Sequence, residues 1–375
     1  MPLYLNDEQT MLADTARDFV AQHAPVKHLR SLRDTSDPTG FSRDLWKQFA
    51  EMGFTGILIP EGDGGLGLGH IEAGVVLEEI GRNLSPSPFL ATSVAAVAAL
   101  NHSAQRDRWF FGIVSGETVA AIAVDEKAKH GTGIAMRAER SGNGFRLTGT
   151  KQFVAHGHVA DLILVAARTA GSAEDEQGIT LFAVPKDAAN LSADPRRLAD
   201  SSLAAHLTFD GVEVDADAVI GEVDQGSLPL KALLAAGRTG ASAEMLGVGG
   251  GAADMTVAYL KERKQFGAHI GSFQALQHRA AHVYAEMEVA RAAVLKAQQL
   301  LDAGSDEAET AVSVAKATTA LATTLSVQEG VQMHGGIGMT DEYDIGFYMK
   351  RARVLAELFG DANYHADQLA RAAGY

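Results

Sequence analysis

Two short stretches carry residue types suited to holding an anionic ligand. The first is Arg263-Lys264-Gln265-Phe266-Gly267, with Phe273-Gln274 just beyond it. Its two cations and loop glycine can meet a diphosphate, and Phe266 can cover a heterocycle. The same cations near a helix C-terminus also complement the helix dipole, so the stretch alone is ambiguous. The second is Gln332-Met333-His334-Gly335-Gly336-Ile337-Gly338. One glycine suffices to end a helix. Three glycines in the four residues from Gly335 exceed that need, and they let backbone amides approach an anion closely. Together the two stretches point to a phosphate-bearing cofactor without naming it.

Other chemistries are excluded. The chain of 375 residues has no cysteine, so disulfides, thiolate catalysis and Cys-held zinc or iron–sulfur centres are out. His156 and His158 stand two apart without carboxylate support and read as ordinary polar residues; no metal site is expected. The formal charge of −15, from 47 acidic and 32 basic residues, argues against nucleic acid as the main partner. No stretch approaches the roughly 20 apolar residues of a membrane span. Met1–Gln9 has no basic segment leading into an apolar run, so no secretory signal is expected and the location is read as cytoplasmic.

Hydrophobic residues make up 46% and charged residues 21%, a soluble globular composition, and the length calls for more than one packed unit. The first third reads helical. Asn6 and Gln9 form a capping-box pattern, and Met11/Leu12, Thr15/Ala16 and Phe19/Val20 recur as one apolar stripe. A second helix is expected over Ser42–Met52 with Leu45 and Phe49 inward, followed by the glycine-rich Pro60–Gly69 and further helices over Ile71–Gly81 and Pro88–Leu100. The middle third changes to short strands: Val119–Val124, a hairpin of Arg137–Arg140 and Phe145–Lys151 around Ser-Gly-Asn-Gly, then Asp161–Arg168, Ile179–Pro185 and Ala205–Val212. In the last third, Leu276, Ala280, Val283, Met287, Ala290, Val294, Ala297 and Leu301 form a heptad-like stripe. Gly304-Ser305 marks a stop, and a second long helix is expected from Asp306 to His334. The expected class is α+β. Residues 1–117 form an N-terminal helical domain, 118–222 a small all-β unit and 223–375 a C-terminal helical bundle of the four-helix type.

Four segments in this order resemble one family. Ala258–Ala281 and Gln332–Arg353 look like the two signatures of the acyl-CoA dehydrogenases. Ile59–Gly69 resembles their N-terminal loop, and Val219–Gly226 their exit from the β domain. The resemblance spans essentially the whole chain. It implies the same α–β–α architecture with a central β-barrel and a C-terminal four-helix bundle, FAD as cofactor, an acyl-CoA substrate and an electron-transfer flavoprotein-type acceptor. The implied reaction removes an α proton from the thioester while the β hydrogen leaves as hydride to the flavin. By the same resemblance, Arg263, Phe266 and Gln274 clasp the FAD of a neighbouring subunit. Gln332, Gly335 and Gly336 line that site, Asp361 and Asn363 are further cofactor candidates, and Arg238 is a candidate substrate contact.

The chain departs from the family where the proton is taken. The α proton of a thioester is weakly acidic, and a positioned carboxylate must accept it. One family position for this base aligns, without gaps from Gln332, with Phe359; the other, just before an arginine, aligns with Gly237. Neither is a carboxylate. Asp361 and Glu357 each lie two residues from position 359, about 200° around a helix and hence on the other face. Asp361 is read first as a cap or ribose contact, and Glu244 as a polar bundle residue. The flavin-ring contacts differ too: Asp125-Glu126-Lys127 replaces a Thr-Glu-Pro-like strand end, and Ala155 replaces a threonine.

Three readings follow. In the first, the chain is the baseless half of a heteromeric enzyme, like bacterial family members that shorten steroid side chains as α2β2 assemblies. In the second it is a homo-oligomer using a displaced acid such as Asp361. In the third it is a non-catalytic CoA-ester-binding or assembly protein. Gly249, Gly250 and Gly251 either widen an acyl pocket or, as preferred here, let two helices approach.

Overall fold

The computed structural model describes residues 3–131 and 133–375. The start of the expected first domain, Met1 and Pro2, lies outside the described residues. The chain divides into two compact units that do not follow chain order. One gathers the residues up to Ser31, His70–Ser85 and Arg238–Tyr375; the other holds Leu32–Gly69 and Pro86–Gly237. No helix among the described residues is long and apolar enough to cross a membrane.

The N-terminal helices are α1 (Asp7–His23), α2 (Val26–Asp34), α3 (Arg43–Glu51), α4 (His70–Arg82), α5 (Val97–Leu100) and α6 (Arg106–Val114). The capping box is present: Asn6 Oδ1 accepts from Gln9 N at 2.8 Å, and Gln9 Oε1 from Asn6 N at 3.0 Å. The stripe on α1 is narrower than expected. Ala16 and Val20 are buried, but Met11 faces out because only one side of α1 is packed. α3 is as expected, capped by Ser42 with Leu45 and Phe49 buried. α2 lies outside the sequence expectations. It is a single-faced, charged helix of which only Leu29 is buried.

The β strands are β1 (Ala120–Ala123), β2 (Arg137–Ser141), β3 (Gly144–Ala155), β4 (Leu162–Arg168), β5 (Ile179–Pro185), β6 (Leu191–Arg197), β7 (Leu203–Asp215) and β8 (Val219–Ile220). They form an eight-stranded sheet in the order β6-β7-β3-β2-β4-β5-β8, with β1 parallel to β4. The β2–β3 hairpin pairs Arg140 with Phe145 around the Gly-Asn turn, as its sequence requires. β4 is buried along its whole length, and Leu162, Leu164 and Ala166 join Leu181, Phe110 and Leu233 in one core cluster. β6 is also outside the sequence expectations: it is an exposed edge strand containing Pro195, which the free edge tolerates.

The C-terminal part has α7 (Ser227–Glu262), the two-residue strands β9 (Lys264–Gln265) and β10 (Ala268–His269), then α8 (Gln274–Asp302), α9 (Ala308–His334), α10 (Ile345–Glu357) and α11 (Ala362–Ala372). On α8 the stripe buries Val283, Met287, Ala290, Val294 and Ala297. Gly304, at φ +60°, lies in the loop before α9. Gly249, Gly250 and Gly251 of α7 serve helix approach. A Cβ at Gly251 would fall 2.7 Å from the Tyr348 ring and 2.8 Å from Arg82 O, and one at Gly249 would strike Met287. Neighbouring elements press on these glycines, in line with the preferred expectation.

Candidate functional site

The Arg263 stretch folds as a tight hairpin at the end of α7. β9 pairs antiparallel with β10, and the turn residues Phe266 and Gly267 both take positive φ, +53° and +81°. That conformation suits glycine but is rare for a bulky residue. Phe266 is 93% exposed and lies edge-on to Phe273, at 6.4 Å between ring centroids. Arg263 is exposed, and among the described residues none pairs with its guanidinium. Gln274 opens α8 and is exposed.

The second stretch lies beside the base of this hairpin. Leu260, Ile270 and Met333 pack as one cluster. The His334 ring stacks on Tyr259 at 4.4 Å and approaches Tyr343 at 4.7 Å. Its Nδ1–H donates to Gly330 O at 2.7 Å, which leaves Nε2 as an acceptor, buried and without a partner among the described residues. Burial lowers the His334 pKa, against the opposing effect of the Gly330 carbonyl. Gly335 sits at φ +63°, ψ −140°, a region reserved for glycine. A Cβ at Gly335 or Gly336 would meet nothing within 4 Å, so this backbone is open. Gln332 is exposed on the last turn of α9. The fold thus joins the two anion-type stretches, with Gly267, Gly335, Gly336 and the two cations facing outward and Gly338 buried.

The expected base position is built differently. Phe359 is buried at φ +60°, followed by Gly360 at φ +107°. Arg238 Nε donates to Phe359 O at 3.1 Å, and its Nη2 reaches Tyr364 Oη at 3.3 Å. Gly237 precedes it within α7 and offers no side chain. Asp361 caps α11, accepting from Tyr364 N at 2.8 Å; the local backbone is irregular, yet its carboxylate is engaged as a cap. Asn363 is exposed on the first turn of α11. Glu244 is buried and held by Arg351 at 2.5 Å, the behaviour of a bundle polar residue.

A residue that sequence reasoning missed completes this turn. Lys316, fully buried on α9, donates to Leu355 O, Ala356 O and Gly360 O at 3.1, 3.0 and 3.0 Å. Burial and the Arg238 guanidinium push its pKa down to about 7, against the attraction of Asp361 and Glu357. The available signal was a lone lysine four residues after Val312, on the inward face of α9.

In the β unit, the residues aligned with ring contacts are tied to one another. Asp125 Oδ1 lies 2.7 Å from His130 Nδ1, and Asp125 O accepts from Gln152 N. Burial pushes the Glu126 carboxyl up, but Lys151 at 2.8 Å and the amides of Met136 and Ala135 outweigh it and hold the carboxyl low. Phe153 is half exposed at φ +54°, where β3 bulges against β7. A cavity of about 360 Å³ opens there, lined in part by Phe153, Ala204, Ala205 and His206. Ala155 pairs with Ala204 and has no hydroxyl to offer. His158 Nε2 is bonded to Pro38 O, and no metal-binding group occurs among the described residues.

An α–β–α chain with these paired stretches matches family models for the acyl-CoA dehydrogenase N-terminal, middle and C-terminal domains, over residues 6–117, 122–212 and 224–374. The chain belongs to the acyl-CoA dehydrogenase family. Among its relatives is acyl-CoA dehydrogenase IpdE2 of Mycolicibacterium smegmatis, 32% identical over 95% of this chain and 96% of the relative. Among solved structures, a variant of the Tcur3481-Tcur3483 steroid ACAD is similar at TM-score 0.88 and 31% identity, covering 98% of this chain and 99% of that one. The ChsE4-ChsE5 complex of Mycobacterium tuberculosis is similar at TM-score 0.90 and 27% identity, with full coverage of both chains.

The family implies FAD, and the two regions fit it unequally. The open glycine backbone, the exposed Arg263 and the outward Phe266 suit a nucleotide reaching in from outside this chain. β3 has no hydroxyl at Ala155, and the acids of the segment that follows β1, Asp125 and Glu126, are engaged by His130 and Lys151.

Proposed function

We propose that this chain is one subunit of a heteromeric FAD-dependent acyl-CoA dehydrogenase and supplies the nucleotide clasp while a homologous partner subunit supplies the base. The observation that carries this reading is Phe359, a side chain that accepts no proton, at the aligned base position. The guanidinium of Arg263 meets the diphosphate, Phe266 covers the heterocycle, and the amides around Gly335 and Gly336 approach the phosphates, with Gln274 and Gln332 alongside. A bound flavin supplies the acceptor for the hydride that leaves the β carbon. Asp361 and Asn363 serve as cap and ribose-side neighbour, and Arg238 stands near the substrate as well as the turn it holds. The names of two similar structures, each pairing two different chains, support a heteromer, and the steroid named in one of them suggests a bulky acyl group. The enzyme would work in the cytoplasm and hand its electrons to an electron-transfer flavoprotein-type acceptor.

The test is anaerobic flavin reduction by an acyl-CoA, with the chain alone and then with its partner. A missing general base costs about 10²–10⁴-fold in rate. Slow reduction by the chain alone and fast reduction by the pair are expected. Fast reduction by the chain alone, abolished by Asp361→Asn, would replace this reading with a self-sufficient enzyme using a displaced acid.

A further inference from the structure

We propose that Lys316 and Arg238 are positioning residues that fix the backbone of the Phe359–Gly360 turn, so that the main chain decides where the side chain at 359 points. The last carbonyls of a helix have no intrahelical partners. At the end of α10, Lys316 takes Leu355 O and Ala356 O and then reaches past the helix to Gly360 O. Arg238 takes Phe359 O, between them. Each of these bonds ends on a main-chain oxygen, so the arrangement is indifferent to which side chain stands at 359.

The turn needs such support. Phe359 and Gly360 take successive positive φ values, and only the second is a glycine. A non-glycine residue in left-handed backbone persists only where its surroundings over-determine it. Burying an ammonium is itself costly. A glycine at 359 would make the same turn without that cost, but it would leave the position without a side chain. The clamp is thus a means of letting residue 359 carry one at a fixed angle. The inference leans on the proposed function only for the meaning of position 359, where the aligned family base stands. The seat for that residue has been kept while its occupant changed to phenylalanine.

Hydrogen exchange on the full chain tests the clamp without any flavin or activity. The reporter is the segment Leu358–Tyr364, whose Leu358 and Gly360 amides are bonded to Val354 O and Glu357 O. Lys316→Met should speed exchange there on the order of tenfold, the factor expected when a left-handed non-glycine residue loses its support. In a Phe359→Gly background, where positive φ carries no penalty, the same change should alter exchange by less than about twofold. Arg238→Met should follow the same pattern. Equal acceleration in both backgrounds would mean that Lys316 is an ordinary buried contact, and the proposal would fall. If Lys316→Met alone does not fold, recovery of folding by added Phe359→Gly supports the clamp, and no recovery overturns it. Failure of the proposed function would leave these outcomes unchanged.

Discussion

The hairpin at Arg263 and the segment around Asp125 that follows β1 are two regions that resemblance assigns to flavin contact, and they treat their polar groups in opposite ways. At the hairpin, the arginine, the open glycines and the exposed Phe266 look outward, away from this chain. In the segment after β1, the acids are consumed internally, Asp125 by His130 and Glu126 by Lys151. A surface that must receive a ligand keeps its donors available. A surface released from that duty can spend them on its own folding. Under the proposed division of labour, the region meant to receive the nucleotide keeps its donors free, while the region relieved of the ring has turned its acids to folding.

The strongest way to break this comparison is through the Glu126–Lys151 pair. Lys151 is fully buried and donates to Glu126 and to Val124 O. Removing one partner of a buried pair leaves an uncompensated charge, worth about 3–5 kcal/mol. Glu126→Ala is expected to lower unfolding free energy by that order in urea titrations of the chain without flavin. An unchanged midpoint would show that the pair is not structural, and the contrast would lose one side.

Next in size is the opposite substitution. Arg263→Ala should weaken flavin retention by the assembled enzyme by about 1.5–3 kcal/mol, the worth of a charge-assisted bond. It should leave the urea midpoint of the chain alone unmoved, because the side chain is exposed. Unchanged flavin content in the purified complex would remove Arg263 from the clasp.

The stable parts of the fold were legible because their patterns are local. The capping box at Asn6, the Gly-Asn hairpin and the α8 stripe each follow from a spacing of a few residues. β6 escaped because its edge position leaves it exposed and tolerant of Pro195, so beyond Leu191 and Ala193 it carries no apolar alternation. Lys316 escaped because its partners are carbonyls some forty residues away, which no side-chain pattern records. The grouping of α1 and α4 with the C-terminal helices is likewise a matter of tertiary packing. At the candidate site, the residue types were readable; the outward posture of Phe266 and the engaged state of Asp125 were not.

A smaller effect should appear with pH at the hairpin's base. Burial holds the His334 imidazole below its ordinary range. The unfolded chain, near its usual value of about 6.5, therefore takes up the proton first as pH falls. Stability is full above that value and declines below it, since the unfolded state then binds more protons. Thermal midpoints between pH 7 and pH 5 should fall more for the wild-type chain than for His334→Phe, which keeps a ring against Tyr259 without a titrating nitrogen. Parallel curves for the two proteins would show that His334 does not carry this dependence.

The smallest expected effect is none at all, and it sharpens the comparison most. Ala155→Thr restores a hydroxyl at the aligned flavin-ring position of β3, half-way out of the core and paired with Ala204. If this chain's own strand held a flavin ring, the added hydrogen bond should tighten binding by about 0.5–1.5 kcal/mol. If the ring is held by the partner's strand, the hydroxyl faces no flavin and the affinity should not move. β3 tolerates threonine well, since β-branched residues suit strands, so a fold defect is not expected to mask the result. The measurement is a flavin titration of the reconstituted pair, wild type against Ala155→Thr, with the partner unchanged. Equal dissociation constants support a division of labour between subunits. Tighter binding in the variant would show that this strand still faces a flavin, and that the lost hydroxyl weakened a working pocket instead of marking an abandoned one.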